Sequence, residues 1–236
     1  MPQDMEKPQD PADLYLALGE DVNPARPILT GDVFENVAIT DTDGSTVTRT
    51  VMVLDHPCSL RTDGFTLTPR LLTAEVRPTT AGSWRTGSFN RIFLPPPFPQ
   101  AESKAAPCAA FFDSCYHVSP DQLRAGTRIA CLSTLGINLM LQRRVKHFSR
   151  VTVESSKFQE ANLGVYEEAD LIEEWCTDRQ DDGAKLDEAV AECVKWLRDG
   201  PAGRRPQDLL KDPQQRSTIR RQMRAAVRDL RALSDN

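Results

Sequence analysis

The run from Thr46 to Leu54 constrains the fold of this chain more than any other stretch. It is rich in β-branched and apolar residues, which favour a β-strand, and Pro57 ends it. Apolar residues occupy both odd and even positions of the run, so both faces of the strand are expected to be buried. The pattern therefore predicts a central strand of a sheet.

Other strand-like runs lie on both sides of this one. The preceding run, 30–39, is separated from it by Asp43-Gly44, a pair typical of tight reversals, which predicts an antiparallel hairpin. Later short runs are 70–76, 91–94, 109–113 and 128–133. Short strands joined by tight turns predict a small barrel or a strongly bent sheet rather than parallel βαβ units.

Helical patterns dominate after this region. Ser119 as N-cap, Pro120 at the first helical position and Gly126 as a stop predict one short helix. Amphipathic stretches predict longer helices at about 136–151, 166–176, 184–199 and 214–233. The chain is therefore expected to be an α+β protein.

The expected organisation has three parts. Residues 1–28 are a lead-in segment, with a short helix from Asp10 to Gly19; residues 29–152 are a β-barrel core with packed helices; residues 153–236 are a helical C-terminal extension. A homodimer formed through the C-terminal helices is one expected way of covering their apolar sides.

The net charge of −5 conceals two blocks of opposite sign. Residues 154–192 contain 13 Asp or Glu and 3 Lys or Arg, which gives −10, whereas residues 201–232 contain 9 Lys or Arg and 3 Asp, which gives +6. Such blocks indicate solvated faces, two elements that attract each other, or a nucleic-acid surface. All three interpretations stay open on the sequence.

A set of short motifs between residues 30 and 80 resembles a known family. Gly31-Asp32 opens the first strand, Arg49 stands before the run Val51-Met52-Val53-Leu54, and Val76-Arg77-Pro78-Thr79-Thr80 ends a later strand. The order of these features is similar to that of the PemK/MazF-like family. Its members are small SH3-like barrels, known chiefly as sequence-specific endoribonuclease toxins.

The resemblance implies an SH3-like (PemK/MazF-like) β-barrel and a metal-independent endoribonuclease. Such a protein would be a bacterial toxin of a toxin–antitoxin pair or an antiviral (phage-defence) effector, with RNA as substrate and an antitoxin or other partner protein. The family's arginine and threonine, here Arg49 and Thr79, act on the RNA backbone. His56 is a further catalytic candidate because histidine titrates near neutrality. No cofactor is expected, since attack by the RNA 2′-hydroxyl needs no metal.

An alternative is a non-catalytic barrel module that binds nucleic acid or a partner protein in a bacterial defence system. Arg143, Lys146 and Arg150, together with His147, are spaced to share one face of the helix predicted at 136–151. That stripe could contact phosphates or form an internal salt-bridged face.

Two mirror-image pairs, His56-x-Cys58 and Cys115-x-His117, suggest other chemistry. Residues i and i+2 of a strand share a face, so the four side chains could form a Cys₂His₂ zinc site. Cys58 could instead be a nucleophile paired with His56 or His117. We expect a cytoplasmic protein without a membrane partner, because no run of about 18 apolar residues occurs and the N-terminus lacks an apolar signal core.

Overall fold

The computed structural model of the protein describes residues 5–41, 43–61, 66–80, 82–85, 87–99 and 107–234. The chain divides into two compact units. The sheet unit comprises Met1–Val22 and Ile28–Glu160, and the helical unit comprises Asn23–Pro27 and Ala161–Asn236. The segment 1–28 is thus divided between the two units.

The sheet unit contains a seven-stranded antiparallel sheet formed by the described residues. Its strands are β1 Tyr15–Leu18, β2 Val33–Thr40, β3 Thr46–Val53, β4 Leu71–Pro78, β5 Arg91–Leu94, β6 Cys108–Val118 and β7 Thr127–Leu132. They are ordered β1-β7-β2-β3-β4-β6-β5. β3 is the middle strand and pairs antiparallel with β2, as the sequence predicts. At the turn between them Gly44 has a φ of 83° and donates its N–H to the Asp41 carbonyl.

The sheet is open, so an SH3-like barrel is not shown. Within the described residues β1 pairs only with β7 and β5 pairs only with β6, which leaves two edges. β1 comes from the segment that was expected to lead into the core. It extends the sheet beyond β7, where a barrel would require closure onto the other edge. The coarser prediction, an α+β fold, is confirmed.

β3 is buried along only part of its length, which corrects the expectation of burial on both faces throughout. Val51, Met52 and Val53 are fully buried, whereas Thr46 to Thr50 are exposed or half-buried. The reason is the register, because β2 pairs with residues 46–52 of β3 but β4 pairs only with residues 51–53. The first half of β3 therefore projects past β4.

Local capping signals are mostly confirmed. Asp10 caps the 3-10 turn Pro11–Leu14, but the chain then enters β1 instead of continuing as a helix to Gly19. Ser119 and Gln122 form a capping box at the next helix. The helices are α1 Pro120–Ala125, α2 Thr134–Ser149, α3 Ser155–Asp181, α4 Leu186–Arg198, α5 Pro206–Leu209 and α6 Arg216–Ser234. No helix among the described residues combines the length and the apolarity needed to cross a membrane.

In the helical unit the two charge blocks pair with each other. Arg220 of α6 lies 3.2 Å from Glu167 and 3.1 Å from Glu174 of α3. Further α6–α3 ion pairs join Arg216 to Glu167 and Arg224 to Glu174, and Arg231 pairs with Asp182 just after the end of α3. The apolar residues Ile219, Met223 and Val227 of α6, which lie beside these arginines on the helix, are buried. The structure thus supports the interpretation of two elements that attract each other.

Candidate nucleic-acid interface

The strand register collects charged and aromatic side chains on one face of the sheet. Val51, Glu75, Phe111 and Arg91 are directly paired across β3, β4, β6 and β5. Directly paired residues point to the same face, and so do residues two positions apart on one strand. Arg49 and Arg77 therefore belong to this face as well. We call Arg49, Glu75, Arg77, Arg91 and Phe111 the arginine face.

Phe111 lies at the centre of the arginine face and is covered by two arginines. The guanidinium carbon of Arg77 is 4.1 Å from the centre of its ring, and that of Arg91 is 4.8 Å from it. Only 6% of Phe111 is exposed. Guanidinium groups stacked on an aromatic ring have a defined position and keep N–H groups for hydrogen bonds in their own plane.

Glu75 is shared by the two arginines at its sides. Arg77 donates to Glu75 Oε2 at 3.2 Å, and Arg49 Nη1 lies 3.7 Å from Glu75 Oε1. Arg49 is also 3.9 Å from Asp41, and both distances exceed that of a normal hydrogen bond. Arg49 Nε is buried and has no hydrogen-bond partner among the described residues. One donor of the Arg49 guanidinium, Nε, is therefore unsatisfied within the described residues.

Thr79 joins the arginine face from the end of β4. Its Oγ1 accepts a hydrogen bond of 3.1 Å from Arg91 Nη1, and its backbone N–H donates to the Pro107 carbonyl at 2.9 Å. The structure thus brings Arg49 and Thr79, the two residues named by the family resemblance, to one face of the sheet.

His56 lies elsewhere. It follows the far end of β3, and Arg49 and Val53 alone are separated by about 13 Å at the usual rise of a strand. Its Nδ1 accepts a hydrogen bond of 3.3 Å from the backbone N–H of Cys58. Burial and the positive charge of Arg144 lower the pKa of His56, which favours the neutral imidazole. His56 is therefore not placed with Arg49 and Thr79 as the sequence-based hypothesis requires.

The predicted zinc site is not assembled. Within the ranges that the structure describes, no group of three or more His, Cys, Asp or Glu side chains is placed to hold a metal ion. Cys58 and Cys115 are exposed, and the Cys115 thiol donates to the Phe112 carbonyl at 3.2 Å. His117 is paired with Leu72 in the β4–β6 ladder.

The basic stripe predicted on α2 does not form a continuous surface. Arg143 is fully buried, and its guanidinium donates to three backbone carbonyls, so its predicted phosphate contact is corrected. Lys146 is half-buried and donates to the Arg150 carbonyl at the end of the helix. Arg150 itself is exposed. The predicted helix forms, but residues 136–143 are buried on every side of it, and Arg143 is among them.

The arginine face is richer in positive than in negative charge. Residues 76–98 contain three arginines and no acidic residue. Two acids besides Glu75 lie close to residues of this region. Asp41 is 3.9 Å from Arg49, and Asp113 accepts a hydrogen bond of 2.8 Å from Asn90 Nδ2. Asn90 Oδ1 in turn accepts from Arg91 Nε at 3.3 Å.

Glu75, Arg77, Arg91 and Phe111 were not among the predicted site residues. The available signal was the acid-free segment 76–98, in which arginines alternate with Trp84, Phe89 and Phe93. Basic residues interleaved with aromatic ones are typical of nucleic-acid-binding surfaces.

No protein-family model matches the chain, and no curated protein matches it either.

Proposed function

We propose that the protein binds RNA through the arginine face. The observation that carries the proposal is the stacking of Arg77 and Arg91 on Phe111, beside the partly exposed side chain of Arg49. Planar guanidinium groups match the oxygens of a phosphate in a bidentate manner. A single RNA strand has a phosphate at every nucleotide, so in an extended conformation it could follow the row of arginines across the sheet.

Access and charge support the proposal. The side chain of Arg77 is 45% exposed and that of Arg49 is 37% exposed. The net charge of −5 is set mainly by residues 154–192, a block outside β3 to β6. RNA is preferred over DNA on the family resemblance, whose Arg49 and Thr79 both lie on this face. An SH3-like, PemK/MazF-like origin of the sheet is part of the same proposal.

The proposal is tested by fluorescence polarisation with a labelled RNA of about twelve nucleotides. The double variant Arg77→Gln/Arg91→Gln is expected to bind about tenfold more weakly or worse, because two phosphate contacts are lost. The slope of log affinity against log salt is expected to fall by about 0.7 for each contact. The matched control is Arg124→Gln, an arginine on α1 with a 62% exposed side chain paired to Asp121.

Wild-type affinity and salt slope in the double variant would contradict the proposal, provided that its thermal melt matches that of the wild type. Absence of salt-dependent RNA binding by the wild-type protein would also contradict it. Equal losses in the double variant and in the Arg124→Gln control would show a bulk charge effect only.

A second candidate function is cleavage of the bound RNA, favoured by the position of Glu75 between Arg49 and Arg77. A carboxylate there can accept the proton of a 2′-hydroxyl, whose oxygen then attacks phosphorus to form a 2′,3′-cyclic phosphate. The 5′-oxygen of the next nucleotide is displaced and leaves as a hydroxyl with a proton from water. Arg49 would offset the charge that develops on the phosphoryl oxygens. A cleaving protein would be the endoribonuclease toxin or defence effector that the resemblance implies, and an antitoxin would have to cover the arginine face.

A further inference from the structure

The loop between β4 and β5 is attached to α2 through one buried cation, the guanidinium of Arg143. Arg143 of α2 donates from Nη1 to the Trp84 carbonyl at 2.8 Å, from Nη2 to the Ser88 carbonyl at 2.9 Å and from Nε to the Arg91 carbonyl at 2.7 Å. Two of these acceptors lie within the loop, and the third is the first residue of β5. Trp84 and Ser88 are thereby fixed to a helix.

Arg143 stabilises the loop although it forms no ion pair with any carboxylate among the described residues. Burial, with a smaller effect from the charge of Arg91, lowers the pKa of Arg143 to about 10, so it remains protonated at neutral pH. Its charge is compensated by the three carbonyls and by the rings of Trp84 and Phe93, whose centres lie 5.2 and 5.3 Å from its guanidinium carbon. Burying a cation is costly, so a fully buried arginine that binds three backbone carbonyls indicates that the loop is held in one conformation.

Trp84 is the aromatic residue that this loop adds to the arginine face. Its ring packs edge-on against Phe93 at 5.5 Å, in a cluster that also contains Ala109 and Phe111. Gly82 allows this packing, because a Cβ there would meet the Phe93 ring at 2.5 Å. Trp84 nevertheless stays only half-buried. The partly exposed indole of Trp84 thus packs against the cluster that contains Phe111, the ring on which Arg77 and Arg91 stack.

We infer that Trp84 is the base-contacting residue of the site, on which an unpaired nucleobase stacks, and that Arg143 is the residue that positions it. The inference rests on the proposed function, since Arg77 and Arg91 supply the neighbouring phosphate contacts. A base stacks on an aromatic side chain regardless of its identity, and the gain is larger when the side chain is already held in place. The ligand of Trp84 is therefore a single-stranded segment with accessible bases.

The test compares two oligomers with the same ribose-phosphate backbone, one carrying bases and one abasic. Wild type is expected to bind the base-carrying oligomer about tenfold more tightly than the abasic one. Trp84→Ala removes this preference but keeps the affinity for the abasic oligomer and the salt slope, and Trp84→Phe keeps most of the preference. The matched control is Phe148→Ala, an aromatic residue of α2 that is 66% exposed.

Arg143→Lys tests the positioning role, because lysine keeps the charge but cannot reach three carbonyls at once. We expect the preference for bases to fall severalfold while the affinity for the abasic oligomer stays at the wild-type value. General destabilisation would weaken binding of both oligomers, and that result would overturn the role of Arg143.

Two outcomes separate the inference from the proposed function. If both oligomers bind with salt dependence and Trp84→Ala retains the wild-type preference for bases, the inference is wrong and the proposed function stands. If neither oligomer binds to the wild-type protein, the proposed function fails and the inference fails with it.

Discussion

At the scale of single residues, the family resemblance indicated Arg49 and Thr79 but not their surroundings. Arg49 lies in β3, and Thr79 directly follows β4. Arg91 and Phe111 come next to Glu75 only because β6 pairs with both β4 and β5. Their place in the site depends on this long-range strand register, which cannot be predicted from either segment alone. His56 lies apart from Arg49 along β3, because the chain continues past the end of that strand before reaching it.

Glu75 is the residue that distinguishes RNA binding from RNA cleavage. Glu75→Gln is expected to bind RNA at least as tightly as wild type, because a negative charge between two arginines is removed. If the wild-type protein cleaves, this variant is expected to lose cleavage by at least about a hundredfold, since the base is gone. Labelled RNA incubated with EDTA and resolved on a denaturing gel measures cleavage, and polarisation measures binding.

Arg49→Ala is the matching variant and should weaken binding and cleavage together. Cleavage by Glu75→Gln at the wild-type rate would exclude Glu75 as the base.

At the scale of secondary-structure elements, caps near in sequence were predictable and long-range caps were not. The helix predicted at 166–176 actually begins at Ser155, because Glu6 caps it from a distant part of the chain. The Glu6 carboxylate accepts from the Ser155 backbone N–H at 2.8 Å, from Ser155 Oγ at 2.5 Å and from Gln142 Nε2 at 2.8 Å. The open sheet was missed for a similar reason, since β1 pairs with β7 more than a hundred residues later.

Glu6→Gln is expected to lower the free energy of unfolding at pH 7 by about 1 kcal/mol, the usual value of a capping interaction. Burial acts to raise the pKa of Glu6, but hydrogen bonds from Ser155 and Gln142 outweigh it and lower the pKa below 4.5. A lowered pKa in the folded state means that the stabilisation is present above the unfolded pKa. It is lost as the pH falls through the folded value.

The difference between wild type and Glu6→Gln should therefore be full at pH 7 and shrink below about pH 4, as measured by urea unfolding across this range. Glu160→Gln is the control, since the Glu160 side chain is 70% exposed and pairs only weakly with Lys157 along the same helix. A constant difference between wild type and Glu6→Gln at every pH would contradict the capping role.

At the scale of the whole molecule, the two basic regions of the sequence have different uses. Arg216, Arg220 and Arg224 of α6 pair with acids of α3, and Arg231 pairs with Asp182 just after it, so much of that basic charge serves the helical unit. The basic region at 76–98 has no acid of its own and contributes Arg77 and Arg91 to the sheet. Charge counts identified the first region, whereas only the fold reveals the second as a surface.

The most direct test of RNA binding by the arginine face is to locate the bound RNA. RNA containing a photoreactive uridine would be cross-linked to the wild-type protein, and the modified peptides would be identified by mass spectrometry. We expect RNA adducts in peptides that cover residues 77–91, including Trp84. We expect these adducts to be lost in the double variant Arg77→Gln/Arg91→Gln. Adducts confined to residues 161–234, or saturable binding with no adduct in residues 77–91, would contradict RNA binding by the arginine face.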